Sequence, residues 1–319
     1  MIGAGVLASV YGGATAIKNA SYDYGLIKSK QLRWPVVSVG NITVGGSGKT
    51  PFVMALIEAF RRHYVECDVL TRGYGRRSSG IHVVDPKGTA DEYGDEPLLI
   101  ARRTGATVIV GADRHAAGVL AESLVTSDEQ RIHLLDDGFQ HRRLARDFDI
   151  VLLGRDHAHG SLLPAGRLRE PASSLTRADA IATAESFRLP DNVPNVQHWR
   201  YTRHVDVPLD LARPVAFCGI AHPERFFDDV KRARVHTAYS FAYRDHHRFS
   251  QTDIDQLLAW RDENKGDGFL TTEKDLVRLG ALAHQLEPLL TVRLYIELFD
   301  PDRLIAGMLS AIAGRRKHS

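Results

Sequence analysis

A glycine-rich segment near the start of the chain has the residue types that bind nucleotide phosphates. Residues 41–52 read NITVGGSGKTPF. In the pattern G-x-x-x-x-G-K-[ST], backbone amides surround the phosphates, the lysine reaches the β- and γ-phosphates, and the hydroxyl binds Mg²⁺. Thr43 stands at the position of the first glycine, and the rest of the pattern is kept. We therefore predict a nucleotide site formed by Thr43, Gly45, Gly46, Ser47, Gly48, Lys49 and Thr50.

The segments around this loop favour a phosphate site over a chance glycine-rich turn. PVVSV, at Pro35–Val39, is a β-branched run typical of a strand, and a helical pattern runs from Pro51 to His63. A turn between a strand and a helix directs backbone N–H groups at a phosphate, and the helix N-terminus adds a favourable dipole. Pro51 suits the first turn of that helix, where an amide is not needed.

Two adjacent aspartates end a later apolar run. In RIHLLDDGFQHRR, at Arg131–Arg143, Asp136 and Asp137 fall at the carboxyl end of a predicted parallel strand, which is the edge where the phosphate loop lies. One carboxylate would hold Mg²⁺ directly or through water, and the other points to the opposite face if the strand continues. An Asp-Asp-Gly turn without metal is the alternative. His141 is a candidate for lining the site, with a structural role equally open.

Two other segments carry acid and histidine groups. In YGDEPLLIARR, Asp95 and Glu96 precede a helical run, so an acidic helix start is the simpler interpretation of that segment alone. In YRDHHRFS, Asp245 precedes His246 and His247. A third ligand at metal spacing is missing, which argues against zinc. A histidine beside a carboxylate can orient a base or receive a proton, and a solvated turn is the alternative.

Two arginine-bearing loops are candidates for gripping a phosphorylated acceptor, since guanidinium groups bind phosphate in a bidentate manner. LLPAGRLREP contributes Arg167 and Arg169, and TRGYGRR contributes Arg72 and Tyr74 among its polar residues. Taken alone, either segment is equally compatible with a solvated charged loop.

The composition indicates a soluble globular protein and does not by itself point to a nucleic-acid partner. The chain has 319 residues, 44% hydrophobic and 25% charged, and its net charge of +2 is too small to indicate a nucleic-acid partner. The two cysteines, Cys67 and Cys218, are far apart, which argues against a zinc ribbon or a disulfide framework.

Alternating apolar runs and helical patterns predict the fold. They indicate an α/β protein with a mostly parallel, P-loop NTPase-type sheet covered by helices on both faces. Near residues 190–210 the chain becomes rich in Pro, Asn and Asp, and the pattern then restarts. We predict a core of residues 1–207 and, after a ribbon-like linker, a smaller α/β domain of residues 208–319 that closes over the site.

The N-terminal segment is a candidate membrane-surface helix. Residues 1–17 carry no charge, yet they are too short and glycine-rich for a membrane span and lack the basic start of a secretory signal. Basic and aromatic residues follow up to about residue 33. Such a segment favours an anionic membrane surface, and an ordinary packed helix is the alternative.

Taken together, these segments resemble the tetraacyldisaccharide 4'-kinase family of the lipid A pathway. The matching stretches occur in the family's order over nearly the whole chain, and the family shares the threonine at the first glycine position. They are VGNITVGGSGKTPF, LTRGYGR, YGDEPLLIA, VGADRHAAG, LLDDGFQHRRLARDFDIVL, LLPAGRLREP, FCGIAHPERFF, RDHHRFS and LTTEKDLVRL.

The resemblance implies a kinase that transfers the γ-phosphate of ATP to the 4'-hydroxyl of tetraacyldisaccharide 1-phosphate, with Mg²⁺, to give lipid IVA. It implies that Asp95 is the general base, His246 its partner and Lys49 a catalytic cation. The implied metal-site residues are Thr50, Asp136, Asp137, Glu96 and Glu170. The predicted substrate-binding residues are Arg72, Tyr74, Asn41, His141 and Arg169.

The resemblance also implies where the protein works. The expected partners are the lipid A disaccharide 1-phosphate acceptor and the inner membrane surface, reached peripherally through the N-terminal helix at the cytoplasmic face. Neither nucleic acid nor an obligate protein partner is implied. Because His246 follows the linker, we also expect the base to be oriented only when the two domains close, which would keep ATP hydrolysis slow without acceptor.

Two other classes of protein remain as alternatives. One is a nucleotide-switch ATPase that binds membranes or delivers metals, although Val44 replaces the first lysine of its K-G-G-x-G-K-[ST] pattern. The other is a non-catalytic nucleotide-binding module. The TTEKD segment, at Thr271–Asp275, loosely resembles the N-K-x-D element of GTPases but does not select ATP or GTP. Stoichiometric transfer to an acceptor separates the kinase from both alternatives.

Overall fold

The computed structural model describes residues 2–45, 48–125, 130–154, 160–187 and 196–317. The helices in this part of the chain are α1 (Ile2–Asp23), α2 (Lys49–Arg62), α3 (Ala90–Tyr93), α4 (Asp95–Thr104), α5 (Arg114–Ser123), α6 (Pro223–Arg232), α7 (Gln251–Glu263), α8 (Glu273–Leu279) and α9 (Pro301–Lys317), with 3-10 helices at Ala172–Arg177 and Gly280–Leu286.

The strands are β1 (Val36–Gly40), β2 (Glu66–Thr71), β3 (His82–Val83), β4 (Thr107–Val110), β5 (Arg131–Asp136), β6 (Phe148–Leu153), β7 (Ala180–Ala184), β8 (Gln197–Asp206), β9 (Val215–Cys218), β10 (Tyr239–Ala242), β11 (Phe269–Thr272) and β12 (Leu289–Leu298). They form one 12-stranded sheet in the order β10-β9-β11-β12-β8-β7-β6-β1-β5-β2-β4-β3. Neighbours are parallel except at the pairs β8–β12 and β3–β4. The predicted α/β fold with a mostly parallel sheet is confirmed.

The antiparallel pair β8–β12 divides the sheet into two parallel blocks. The first half of β8 pairs with β7, and its second half pairs with the second half of β12. The first half of β12 in turn pairs with β11. The second block therefore lies beyond the edge at which the strands of the first block end. Its strands run in the opposite direction to those of the first block. In this arrangement the carboxyl ends of both blocks face each other, so side chains that follow strands in either block can meet.

The first block is covered on both faces, as parallel sheets usually are. Side chains alternate along each strand. In β6, for example, Ile150 packs in the cluster that includes α2, whereas Val151 packs in the cluster on the other face. β5 divides in the same way between Leu134 and Leu135. This double cover explains why these strands are continuous apolar runs in the sequence.

The C-terminal helix returns to the first block. Ile305, Met308 and Ile312 of α9 share a core cluster with α2 and β1. Two further clusters lie within the second block, around Phe217 and around Phe226. The core of the second block is thus built from β9–β11 and α6–α8. The predicted division between residues 207 and 208 remains a proposal. Helix α9 belongs by sequence to the second predicted domain, yet it packs on the core of the first block.

Helix α1 lies against the loops that follow the strands of the first block. Tyr11 Oη donates to the carbonyl of Arg169 over 3.1 Å, and Asn19 Nδ2 donates to Glu170 Oε2 over 2.9 Å. Its other face exposes apolar side chains, with Val6, Leu7 and Val10 between 59% and 65% exposed. In the described part of the chain, no helix combines the length and apolar character needed to cross a membrane.

Candidate active site

The phosphate loop follows buried strand β1 and ends at α2. Gly48 precedes the first residue of α2, Lys49, and has φ of +78°, a left-handed conformation that glycine adopts most easily. Gly45 has φ of +109°, and a Cβ there would lie 2.2 Å from Arg167 Nη2. The left-handed backbone therefore favours glycine at both positions. Gly46 and Ser47, predicted as part of the site, lie outside the described residues.

The threonine at the first glycine position has a structural explanation. Thr43 is buried and forms a β-bridge with Leu168 of the LLPAGRLREP segment. The pairing extends to either side, because Val44 N donates to the Arg167 carbonyl and Arg169 N donates to the Ile42 carbonyl. Extended backbone suits a β-branched residue, so glycine is not needed here. Buried Asn41 donates weakly to the Thr43 hydroxyl, over 3.4 Å.

The loop lysine is held by the second aspartate of the Asp-Asp pair. Lys49 Nζ lies 3.2 Å from Asp137 Oδ1, and Arg169 Nη1 donates to Asp137 Oδ2 over 2.8 Å. Asp137 has φ of +53°, so the chain turns as β5 ends. Burial alone would raise the pKa of Asp137, but the charges of Lys49 and Arg169 outweigh it and lower that pKa. Asp137 thus remains ionised between two cations.

The first aspartate faces a different neighbour. Asp136 is 2% exposed, and its Oδ2 accepts a hydrogen bond from the Thr71 hydroxyl over 3.2 Å. Its Oδ1 is buried without a hydrogen-bond partner among the described residues. Burial, followed by the charges of Glu96 and Asp137, raises the pKa of Asp136 to about 7. An unsatisfied buried carboxylate oxygen next to two other acids fits a cation site.

Asp95 begins helix α4 and is 5% exposed. The preceding Gly94 has φ of +90°, and Asp95 Oδ1 accepts a hydrogen bond from the amide of Glu96 over 3.0 Å. Its other oxygen faces the second block. Arg278 Nε donates to Asp95 Oδ2 over 2.8 Å, and His246 Nδ1 lies 3.3 Å from the same atom. Asp95 therefore gives α4 the acidic start that the simpler interpretation of this segment predicted, and it also presents a buried carboxylate to the second block.

The charge of Asp95 is stabilised from the other block. Burial would raise the pKa of Asp95, but the hydrogen bond with His246 and the charges of Arg278 and Lys274 lower it well below the ordinary range. The neighbouring Glu96 pairs with Lys274, and this pairing is the largest cause that lowers the pKa of Glu96. Both acids are thus anionic at neutral pH.

The two neighbouring histidines have different surroundings. His246 has φ of +57°, and its ring lies beside Tyr74 with centroids 5.2 Å apart. The hydrogen bond with Asp95 is the largest cause that raises the pKa of His246. His247 instead stacks on Tyr243 at 4.4 Å and lies 3.2 Å from Asp253 Oδ2 at the start of α7. The structure therefore brings His246, and not His247, to Asp95.

This difference predicts opposite outcomes for two adjacent substitutions. His246→Ala removes the partner of Asp95, and we expect kcat to fall by up to about 10²-fold, the cost of a misplaced reacting group. His247→Ala removes a stacked ring, and we expect a loss of about 1–2 kcal/mol of stability with kcat close to wild type. Steady-state kinetics and thermal unfolding of both variants test this. Equal loss of kcat in the two would contradict the assignment.

Some of the other predicted site residues contact the groups described above, and others are held by separate contacts. Tyr74 and Arg169 lie at the site through the contacts described above, and Arg72 is exposed on the loop that carries Tyr74. His141 is half-buried, and burial followed by the charge of Arg114 lowers its pKa to about 4. Glu170 is 1% exposed, and its Oε2 accepts hydrogen bonds from Arg177 and Asn19. These contacts favour a structural role for Glu170 rather than metal ligation.

Sequence reasoning did not single out Lys274 and Arg278. Both lie on α8, four positions apart, so they occupy one face of the helix. Lys274 pairs with Glu96 and Arg278 with Asp95. The sequence feature that could have identified them is this pair of basic residues in LTTEKDLVRL, which is opposite in charge to the acidic pair Asp95-Glu96 of another segment.

The family model and the similar proteins carry the same description. The model of the family described as "LpxK: Tetraacyldisaccharide-1-P 4'-kinase" matches residues 5–313. The chain is 44% identical to a tetraacyldisaccharide 4'-kinase of Koribacter versatilis (strain Ellin345), covering 97% of this chain and 99% of that protein. It is 34% identical to the protein of the same name from Geobacter metallireducens, covering 94% of each.

A solved structure resembles this chain along almost its full length. It is the "apo" form of LpxK from Aquifex aeolicus in complex with ATP, with a TM-score of 0.79 and 30% sequence identity. The superposition covers 96% of this chain and 97% of the other.

Proposed function

Because the chain belongs to the tetraacyldisaccharide-1-P 4'-kinase family, we propose that it transfers the γ-phosphate of ATP to the 4'-hydroxyl of a tetraacyldisaccharide 1-phosphate, giving lipid IVA in lipid A biosynthesis. The observation that carries the mechanism is the buried Asp95 carboxylate, whose Oδ2 lies 3.3 Å from His246 Nδ1.

Asp95 acts as the general base. A sugar hydroxyl is a poor nucleophile, and a positioned carboxylate that accepts its proton assists attack on phosphorus. The low pKa of Asp95 keeps it ionised at neutral pH. His246 supports the carboxylate from the second block and gains positive character from it, since its own pKa is raised. The Asp95 carboxylate accepts the proton removed from the acceptor hydroxyl, beside the His246 ring.

Lys49 stabilises the charge on the transferred phosphoryl group. Phosphoryl transfer needs little covalent help from the protein, so catalysis rests on positioning and on charge. The lysine at the N-terminus of α2 lies where the helix dipole also favours anions. Asp137 and Arg169 hold Lys49 and its surroundings in place. Arg72, Tyr74, Asn41 and His141 remain proposed contacts of the acceptor.

Mg²⁺ fits the acidic end of this site. Asp136 Oδ1 is buried without a hydrogen-bond partner among the described residues, Asp137 directly follows β5, and Thr50 is the second residue of α2. Glu96, the second residue of α4, remains a further proposed ligand. The ion, when bound, neutralises charge on the β- and γ-phosphate oxygens. No group of three or more acid, cysteine or histidine side chains suited to a metal occurs among the described residues, and Mg²⁺ is generally held by one or two carboxylates plus substrate phosphates.

The reaction itself is tested by the position of the new phosphate. We expect ³¹P NMR of the product formed from ATP and purified tetraacyldisaccharide 1-phosphate to contain a second phosphomonoester signal, coupled to the 4' position. Production of ADP and free phosphate, with the lipid unchanged, would contradict the proposal and favour a nucleotide-switch ATPase. Nucleotide binding without ADP formation would favour a non-catalytic module.

We further propose that the protein lies peripherally on the cytoplasmic face of the inner membrane through α1. The acceptor is a lipid, and α1 exposes Val6, Leu7 and Val10, while the segment that follows α1 carries the exposed basic residues Lys28 and Lys30. Apolar burial at the interface and attraction to anionic lipids act together in such a helix.

A double substitution on the exposed face tests this attachment. We expect Val6→Asp with Leu7→Asp to weaken binding to anionic vesicles by at least about tenfold, since burying each apolar side chain contributes on the order of 1.5–3 kcal/mol. Leu209→Asp is a control for an exposed leucine, because Leu209 is 69% exposed and lies on the loop between β8 and β9. Vesicle sedimentation measures both. Unchanged binding of the double variant, or an equal loss in the control, would contradict the role of α1.

A further inference from the structure

Arg278 links the two groups that the proposed mechanism pairs. Its guanidinium is 6% exposed. Nε and Nη2 both donate to Asp95 Oδ2, with 2.8 Å for the Nε contact. Nη1 donates to the Gly219 carbonyl and to Asp275 Oδ1, the latter over 3.0 Å. One side chain thus spans from the base in the first block to a loop in the second.

The loop at Gly219 is also where His246 is attached. The Gly219 carbonyl accepts a hydrogen bond from His246 N over 3.1 Å, in addition to the bond from Arg278. The Gly219 amide donates to Asp275 Oδ2 over 3.1 Å. A Cβ at Gly219 would lie 3.2 Å from Asp275 Oδ1 and from His247 Cβ, so the loop is closely packed. Arg278 therefore fixes both Asp95 and the backbone that carries its histidine partner.

We propose that Arg278 is a positioning residue for the phosphoryl transfer: its guanidinium aligns the Asp95 carboxylate with His246 when α8 docks against α4. This inference rests on the proposed function, since it assumes that Asp95 is the base. Arginine suits the task because its planar fork binds several acceptors in fixed directions, whereas lysine presents a compact point charge.

A second interpretation is that Arg278 only holds the two blocks together. Three ion pairs join α4 to α8, namely Asp95–Arg278, Glu96–Lys274 and Arg103–Glu273. The last of these lies at the far end of α4 and does not contact Asp95. Arg103→Gln is therefore a matched control, because it removes a link between the same two helices and leaves the base untouched.

The two interpretations differ in how kcat and KM respond. If Arg278 aligns Asp95 with His246, its loss lowers kcat and leaves KM for ATP nearly unchanged, because the phosphate loop is untouched. If Arg278 only joins α8 to α4, its loss lowers the stability of the protein without a specific fall in kcat of the folded enzyme.

The experiment compares three variants with wild type, measuring kcat and KM for ATP with lipid acceptor, together with thermal unfolding. We expect Arg278→Gln to lower kcat by about 10²-fold and to leave KM for ATP within about threefold. Arg278→Lys should restore part of kcat relative to Arg278→Gln, because the charge is kept, and should remain below wild type, because the fork is gone. Arg103→Gln should match wild type in kcat and KM.

Several outcomes would overturn the inference. One is an unchanged kcat in both Arg278 variants, and another is an equal loss of kcat in Arg103→Gln. A third is a loss in Arg278→Gln that appears in KM for ATP rather than in kcat, which indicates an effect on the nucleotide site instead of alignment of the base. If Arg278→Gln does not fold, Arg278→Lys carries the test, and full activity there would overturn the inference. Failure of wild type to phosphorylate the acceptor would instead contradict the proposed function.

Discussion

Asp95→Asn is expected to lower kcat for phosphate transfer by about 10²–10⁴-fold, the usual contribution of a general base. Asparagine keeps the shape of the side chain and cannot accept the proton. It also leaves Arg278 and His246 beside a neutral group, so their alignment weakens. ATP affinity should change little, because Asp95 is not part of the phosphate loop. Steady-state kinetics and isothermal titration with a non-hydrolysable ATP analogue measure the two quantities.

A matched acid elsewhere controls for the substitution of Asp95. Asp228 on α6 is exposed and lies outside the site, so Asp228→Asn should behave as wild type in both assays. Because Asp95 is a buried anion that faces buried cations, thermal unfolding of Asp95→Asn is measured as well. A folded Asp95→Asn protein with kcat within about threefold of wild type would exclude Asp95 as the base.

Lys49→Met is expected to lower kcat by about 10²–10³-fold, as loss of one preorganised electrostatic group does in other active sites. The side chains have similar length, and the ammonium charge is removed. Lys49 lies at the N-terminus of α2 and pairs with Asp137 at 3.2 Å. Removing it takes away one of the two cations beside Asp137 and a positive charge from the phosphates. Nucleotide affinity should therefore fall together with kcat.

Exposed Lys231 on α6 provides the control for charge and length. Lys231→Met should retain wild-type kcat and ATP affinity. Comparing the change in kcat with the change in ATP affinity distinguishes transition-state stabilisation by Lys49 from simple nucleotide binding. A fall in ATP affinity with unchanged kcat would mean that Lys49 binds ground state and transition state equally, which would contradict its role in stabilising the transferred group.

Local patterns were enough to predict the parts of the site that come from one segment. The phosphate loop was predicted because a strand, glycines, Lys49 and a helix occur in direct succession, each with its own propensity. Asp136 and Asp137 were placed at a strand end by the apolar run before them. The α/β fold itself followed from alternating strand and helix patterns, and the comparisons bear it out. The residue assignments within the site remain predictions that the variants above test.

The parts that depend on distant segments were not predictable in the same way. The contact between Asp95 and Arg278 joins residues 183 positions apart and requires β8 to extend past β7 and pair with β12. Strand register of this kind is set by packing of both blocks rather than by local propensity. Helix α9 returns to the first core for the same reason, although it follows the second block along the chain.

The most direct test of the account follows the label from [γ-³²P]ATP in parallel reactions of wild type and Asp95→Asn with tetraacyldisaccharide 1-phosphate in detergent micelles. The account predicts that wild type places label in the lipid, that this depends on Mg²⁺, and that the variant loses the transfer by orders of magnitude while still binding ATP. Release of label only as free phosphate, at equal rates in both proteins, would contradict it.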